Sequence, residues 1–128
     1  MRTPGPVVPC FVLFLAALSL LACGSSSQLQ TVTITPATGS TSVKFVATGT
    51  YTDSHKVTPL TALWTQNGPW VLSPVNALSI GADGTVSCLS VAGTFTIVAT
   101  APIDPHVPIS QLQQGTPQVS GSAQITCP

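Results

Sequence analysis

From Gln28 onward apolar and polar side chains alternate, and this period of two constrains the fold more than any other feature. Over residues 31–35, Val32 and Ile34 fall on one face and threonines on the other. Over 41–52, Val43, Phe45, Ala47, Gly49 and Tyr51 share a face. Ala62 and Trp64 alternate with Leu63 and Thr65, and Phe95, Ile97 and Ala99 with Thr94, Thr96 and Thr100. Ala123, Ile125 and Cys127 alternate in turn with Ser122, Gln124 and Thr126. Branching at Cβ restricts χ1 and packs well on a pleated surface, so Thr and Val favour the extended state. Pro36 with Gly39, Asn67-Gly68-Pro69, Asp83-Gly84 and Ala92-Gly93 punctuate these runs. Asp83-Gly84 predicts a tight hairpin between 78–80 and 85–89. No stretch carries an amphipathic helical pattern, and the spacing of short strands predicts an all-β antiparallel sandwich.

The amino end reads differently. Arg2 precedes an apolar run, Val7 to Ala22, that stops at Cys23 and gives way to Gly24-Ser25-Ser26-Ser27. The run is short of the roughly 20 residues of a comfortable membrane span, and Pro9 shortens it further. It is expected to be a signal peptide over 1–22, with an uncleaved anchor helix as the alternative. Leu20-Leu21-Ala22-Cys23 resembles the lipobox of bacterial lipoproteins. The resemblance implies diacylglycerol on the Cys23 thiol, cleavage before it and acylation of the new amino terminus. Each buried methylene contributes about 0.8 kcal/mol, so two or three chains anchor stably. Residues 23–28 are then a lipidated tether and 29–128 the folded domain. Resemblance to lipoproteins with no Asp after the cysteine implies sorting to the outer membrane of a bacterial envelope, where the organism has one.

Cys10 falls in the discarded segment, which leaves Cys88 and Cys127. An exported chain meets an oxidising compartment, where such a pair favours a disulfide. Cys88 shares a face with Val86 and Cys127 with Ile125, both assigned to the core. Two free thiols and a shared metal are the alternatives.

Charged residues make up 5% of the chain, with formal net charge zero. No basic surface invites nucleic acid. Beyond Cys23 the charged residues are Lys44, Asp53, Lys56, Asp83 and Asp104, with His55 and His106 the imidazoles. With so few acid–base groups and no nucleophile–base pair, no enzymatic activity and no cofactor are expected. Asp53-Ser54-His55 has the letters of a hydrolase triad, but consecutive turn residues cannot converge in those roles. Asp53-x-His55 and Asp104-x-His106 lie in loops expected at one end of the sandwich, which would bring four N/O ligands for a zinc-like ion to that end. The loops offer no further groups to orient such ligands, so exposed polar turns are the expected reading and no metal site is assigned. Trp64 is expected in the core. Trp70 is expected to be buried at one edge; exposed, it would stack on sugar rings or anchor a partner.

The segments "TVTITPATGS", "FVATGTYTDSHKVTPLTALWTQN" and "ALSIGADGTVSCLSVAGTFTIVAT" resemble the bacterial immunoglobulin-like group 2 family. Thr35-Pro36, Trp64, Ile80, Gly84, Val86, Gly93, Thr94, Ile97 and Ala99-Thr100 carry the resemblance, which covers 29–100. It implies an immunoglobulin-like sandwich of about seven strands, in a family of spacer, adhesin and partner-binding modules. Two stretches depart from the pattern: Trp70 to Val75, and a proline-rich loop over 101–121. So long a loop in a small sandwich is usually functional or mobile. The expected function is non-catalytic binding of an envelope protein or polysaccharide, with Trp70, Asp104 and His106 as candidate contacts. The alternative is a spacer or assembly subunit that uses exposed strand edges.

Overall fold

A computed structural model describes residues 26–72 and 76–128. The signal peptide over 1–22 and the lipidation site Cys23 lie outside these residues. The described chain is all-β, with ten strands, a single 3-10 turn and no α-helix. In order these are β1 (Leu29–Thr35), β2 (Thr38–Ser40), β3 (Ser42–Lys44), β4 (Val46–Tyr51) and β5 (Lys56–Val57). There follow β6 (Leu63–Gln66), β7 (Leu78–Ile80), β8 (Thr85–Cys88), β9 (Gly93–Pro102) and β10 (Gln118–Cys127).

They form three sheets, ordered β1-β4-β5, β2-β10-β9-β6 and β3-β8-β7. All pairings are antiparallel except that of β2 with β10. The expected single strand over 41–52 is two. β3 pairs with β8, and β4 pairs with β1, while Phe45 between them turns the chain from one sheet to the other. The Phe45 N–H leaves the ladder and donates to the Gly84 carbonyl at 2.8 Å. Side-chain parity survives the change, because Val43 packs against the core that buries Phe45, Ala47 and Tyr51.

One apolar cluster draws from all three sheets: Val32 and Ile34 of β1, Val86 of β8, Ile97 and Ala99 of β9, Ala123 and Ile125 of β10. Trp64 is partly buried and packs against it. The turn between β7 and β8 spans four residues, 81–84. The Gly81 N–H bonds the Thr85 carbonyl at 2.8 Å, and Gly84 takes φ +86°, where any Cβ would meet the Phe45 carbonyl at 2.3 Å.

The proline-rich loop is shorter than its composition implies. β9 and β10 pair along their whole lengths, from Gly93↔Cys127 to Pro102↔Gln118, so the connection is residues 103–117. Val119 to Gly121 reads as loop because its residues are mostly small and polar, but the packing demands small residues there. A Cβ on Gly121 would stand 2.2 Å from the Val32 carbonyl of β1, which crosses β10 at this point. Opposite Thr100, Ser120 answers hydroxyl to hydroxyl at 2.8 Å.

Candidate functional site

At one end of the molecule the 51–61 segment and the 103–117 connection face each other. Tyr51 ends β4, and its N–H closes the turn by donating to the His55 carbonyl at 3.0 Å. Across from it, the Leu29 N–H donates to the Ile103 carbonyl at 2.9 Å, and the Ile103 N–H to the Pro117 carbonyl at 3.0 Å. These bonds fix both mouths of the connection to the start of β1. Within it, backbone N–H groups of Val107, Gln111, Leu112 and Thr116 close successive tight turns. Leu112 is buried and Ile109 packs against the core, which ties down the loop's middle.

Between the two segments lies a groove of about 380 Å³, with Tyr51, Leu60, Pro102, Val107 and Ile109 among its lining residues. Among the described residues no charged side chain lines it. Its apolar character comes from ring carbons of proline, the Tyr51 ring and the exposed Val57 on the rim. Pro105 and Val107 line it on either side of His106, whose own side chain is exposed.

The two Asp-x-His motifs flank this groove, each closed on itself. His55 donates its backbone N–H to Asp53 Oδ1 at 3.2 Å and its ring Nδ1–H to the same oxygen. Its ring stacks on Tyr51, with centroids 4.4 Å apart and planes 6° from parallel. His106 repeats the arrangement on Asp104, with backbone and ring bonds both at 2.9 Å. The His55 side-chain hydrogen bond holds the Asp53 carboxyl below its usual range. At Asp104 the His106 backbone N–H is the larger cause and its ring the second. What these bonds add to the turns is present above the ordinary carboxylate pKa of about 4 and is lost as pH falls through the lowered values. The histidines are thus spent on their own turns. Among the described residues no three His, Cys, Asp or Glu side chains gather.

Trp70 is elsewhere. It follows β6, whose exit is marked by the Asn67 N–H donating to the Thr96 carbonyl, near the start of β9. Asp104 and His106 follow the end of that same strand. The three candidate contacts therefore sit at opposite ends, and Trp70, expected to be buried, is 43% exposed. It lies in a turn outside every ladder of the described residues. Conversely, Val57 and Pro59 had no signal beyond turn composition and Tyr51 only a core one, and the topology alone brings them to the 103–117 connection.

Cys88 and Cys127 form a disulfide, with Cα atoms 5.6 Å apart. It joins the end of β8 to the end of β10, as the shared parity with Val86 and Ile125 requires. A second depression, of about 360 Å³, lies over Phe45, Ala47, Leu60 and Trp64, with Lys44 and Asp83 paired at 3.7 Å on its rim. Comparison with known proteins finds no family model that matches the chain and no curated protein that resembles it.

Proposed function

We propose that the chain is a lipid-anchored protein of a bacterial envelope, whose folded part is an immunoglobulin-like β-sandwich acting as a non-catalytic binding module. The groove between the 51–61 and 103–117 segments carries the binding part of this reading. A spacer needs no such feature, whereas a module that recognises a partner does. Its lining selects an uncharged, extended ligand: a stretch of envelope polysaccharide or of polypeptide. The sandwich reading is supported by the single core shared between sheets and by Trp64 packed against it. Export is supported by the Cys88–Cys127 bond, which persists only where thiols are oxidised. Anchoring rests on the apolar run that ends at Cys23.

Two experiments test the two halves separately. Cys23→Ser is expected to move the protein from the membrane fraction to the soluble envelope fraction. A variant that stays in the membrane with Met1 attached would instead establish an uncleaved anchor helix. For binding, Val57→Asp combined with Val107→Asp places two charges on the groove wall without touching a fully buried side chain. Envelope extracts, either protease-treated or glycosidase-treated, are passed over the wild-type chain and this variant. Capture is expected to fall by at least about tenfold, the loss when a contact cluster worth more than 1.4 kcal/mol is removed. Equal capture by both removes the groove from the reading, and capture by neither leaves the spacer.

A further inference from the structure

The end of the molecule far from the groove has the opposite character. Four of its side chains are large, apolar and exposed: Trp70 at 43%, Val71 at 56%, Leu72 at 94% and Leu89 at 47%. The topology groups their connections. The 67–72 stretch leaves β6 beside the start of β9, and the Leu89 N–H donates to the Ala77 carbonyl at 2.9 Å where the chain re-enters β7. Charged side chains are absent here. No Lys, Arg, Asp, Glu or His occurs between Lys56 and Asp83, or between Asp83 and Asp104. Asp53, His55, Lys56, Asp104 and His106 all belong to the groove end, and the Lys44–Asp83 pair lies midway.

We propose that this uncharged tip is a second membrane contact, resting on the reading that Cys23 carries lipid. Trp70, Val71, Leu72 and Leu89 enter the interfacial layer of the bilayer that holds the tether, and the module lies along that bilayer. A tryptophan beside Val and Leu matches an interface whose outer part is polar and inner part apolar. With no charged side chain at this end, insertion desolvates none.

Chain length makes the contact reachable. The ten residues of β9 separate the two ends by about 30 Å. Cys23 to Leu29 extends at most about 20 Å, and Leu29 starts at the groove end. So short a tether holds the tip within reach of the same bilayer at an effective concentration of order millimolar, where even weak partitioning populates the inserted state. A second copy is a poorer occupant, because four side chains fall far short of the roughly 800 Å² per partner of a stable interface. A protein pocket is also less apt. The tip has no Arg or Tyr and no charged rim of the kind that surrounds interface anchors.

The full chain, purified from bacterial membranes, is reconstituted into zwitterionic phosphatidylcholine vesicles with brominated acyl chains. Subtracting the emission of Trp70→Phe from that of the wild type isolates Trp70, since Trp64 packs against the core. The Trp70 signal is expected to be quenched and blue-shifted. Leu72→Asp, at a side chain that packs on almost nothing, is expected to lower the tip's partitioning at least about tenfold. Sedimentation with the vesicles reads the lipid anchor independently. A chain that sediments while Trp70 stays unquenched overturns the proposal and leaves the tip to a protein partner. Quenching that Leu72→Asp leaves unchanged overturns it too. A chain that fails to sediment overturns the anchor instead, and quenching at millimolar lipid then decides the tip alone.

Discussion

Alanine at both Cys88 and Cys127 is expected to lower the unfolding free energy by about 4 kcal/mol, the chain-entropy value for a closed loop of about 40 residues. The bond spans 39 positions in sequence and closes one contiguous loop containing the end of β8 and all of β9 and β10. Without it the unfolded chain gains the freedom of that loop. The folded chain retains its contacts, because β10 remains hydrogen-bonded to β9 along its length and to β2 at its far end. Alanine is the right probe at Cys127, which is 4% exposed, since serine would add the cost of a buried hydroxyl. Denaturant unfolding of the double variant, and of the wild type under reductant, should give the same shift to lower midpoint. Net stability for a domain of this size is of order 5–15 kcal/mol, so production in a reducing compartment would leave a marginal protein. A loss below about 1 kcal/mol would mean that the unfolded chain is already compact across this segment.

This pairing was legible because two signals agreed: export implied oxidation, and face parity put both sulfurs toward one core. The same parity placed Val32, Ile34, Phe45, Ala47, Ile97, Ala99, Ala123 and Ile125, all of which are buried. Alternation reports which face is apolar but not which strand lies alongside. The sheet change at Phe45 was therefore invisible, and one expected strand became two. The start of β10 was hidden for a different reason. Gly121 and its small neighbours are selected by the approach of β1, a contact 89 positions away in sequence, between Val32 and Gly121. Local composition at such a place reads as loop because its cause is not local.

The candidate site was legible in part. Spacing placed the Asp53 and Asp104 motifs at one end, and the structure has them on the two segments that wall the groove. Convergence on a common ion does not follow from placement at a common end, because each carboxylate finds a nearer donor in its own turn. Trp70 shows the limit of hydrophobicity as a guide. Burial needs a neighbouring layer, and the Trp70 turn lies beyond the last ladder pair of β6 with β9. Tyr51 went the other way. Its alternation assigned it to the core, where it is 6% exposed, yet its ring also forms the groove wall and the platform for His55.

Phe45→Ala is expected to cost about 3–5 kcal/mol, the range for truncating a buried aromatic ring. Phe45 is fully buried and stands where the chain passes from β3 to β4, so its ring fills the corner that two sheets share. Its backbone is fixed from both sides: the N–H is committed to the Gly84 carbonyl, and its own carbonyl approaches Gly84 too closely to admit a Cβ there. The main chain at this corner cannot move in to fill the space, which places the cost in the upper part of the range. Phe45→Leu keeps most of the volume and is expected to cost less than half as much. Trp70→Ala removes a ring of comparable size from an exposed turn and should fall within about 0.5 kcal/mol of the wild type. Thermal or denaturant unfolding of the three variants orders them. If Phe45→Ala and Trp70→Ala cost the same, the corner is not held by this ring, and the junction between the sheets depends on the hydrogen bond to Gly84 alone.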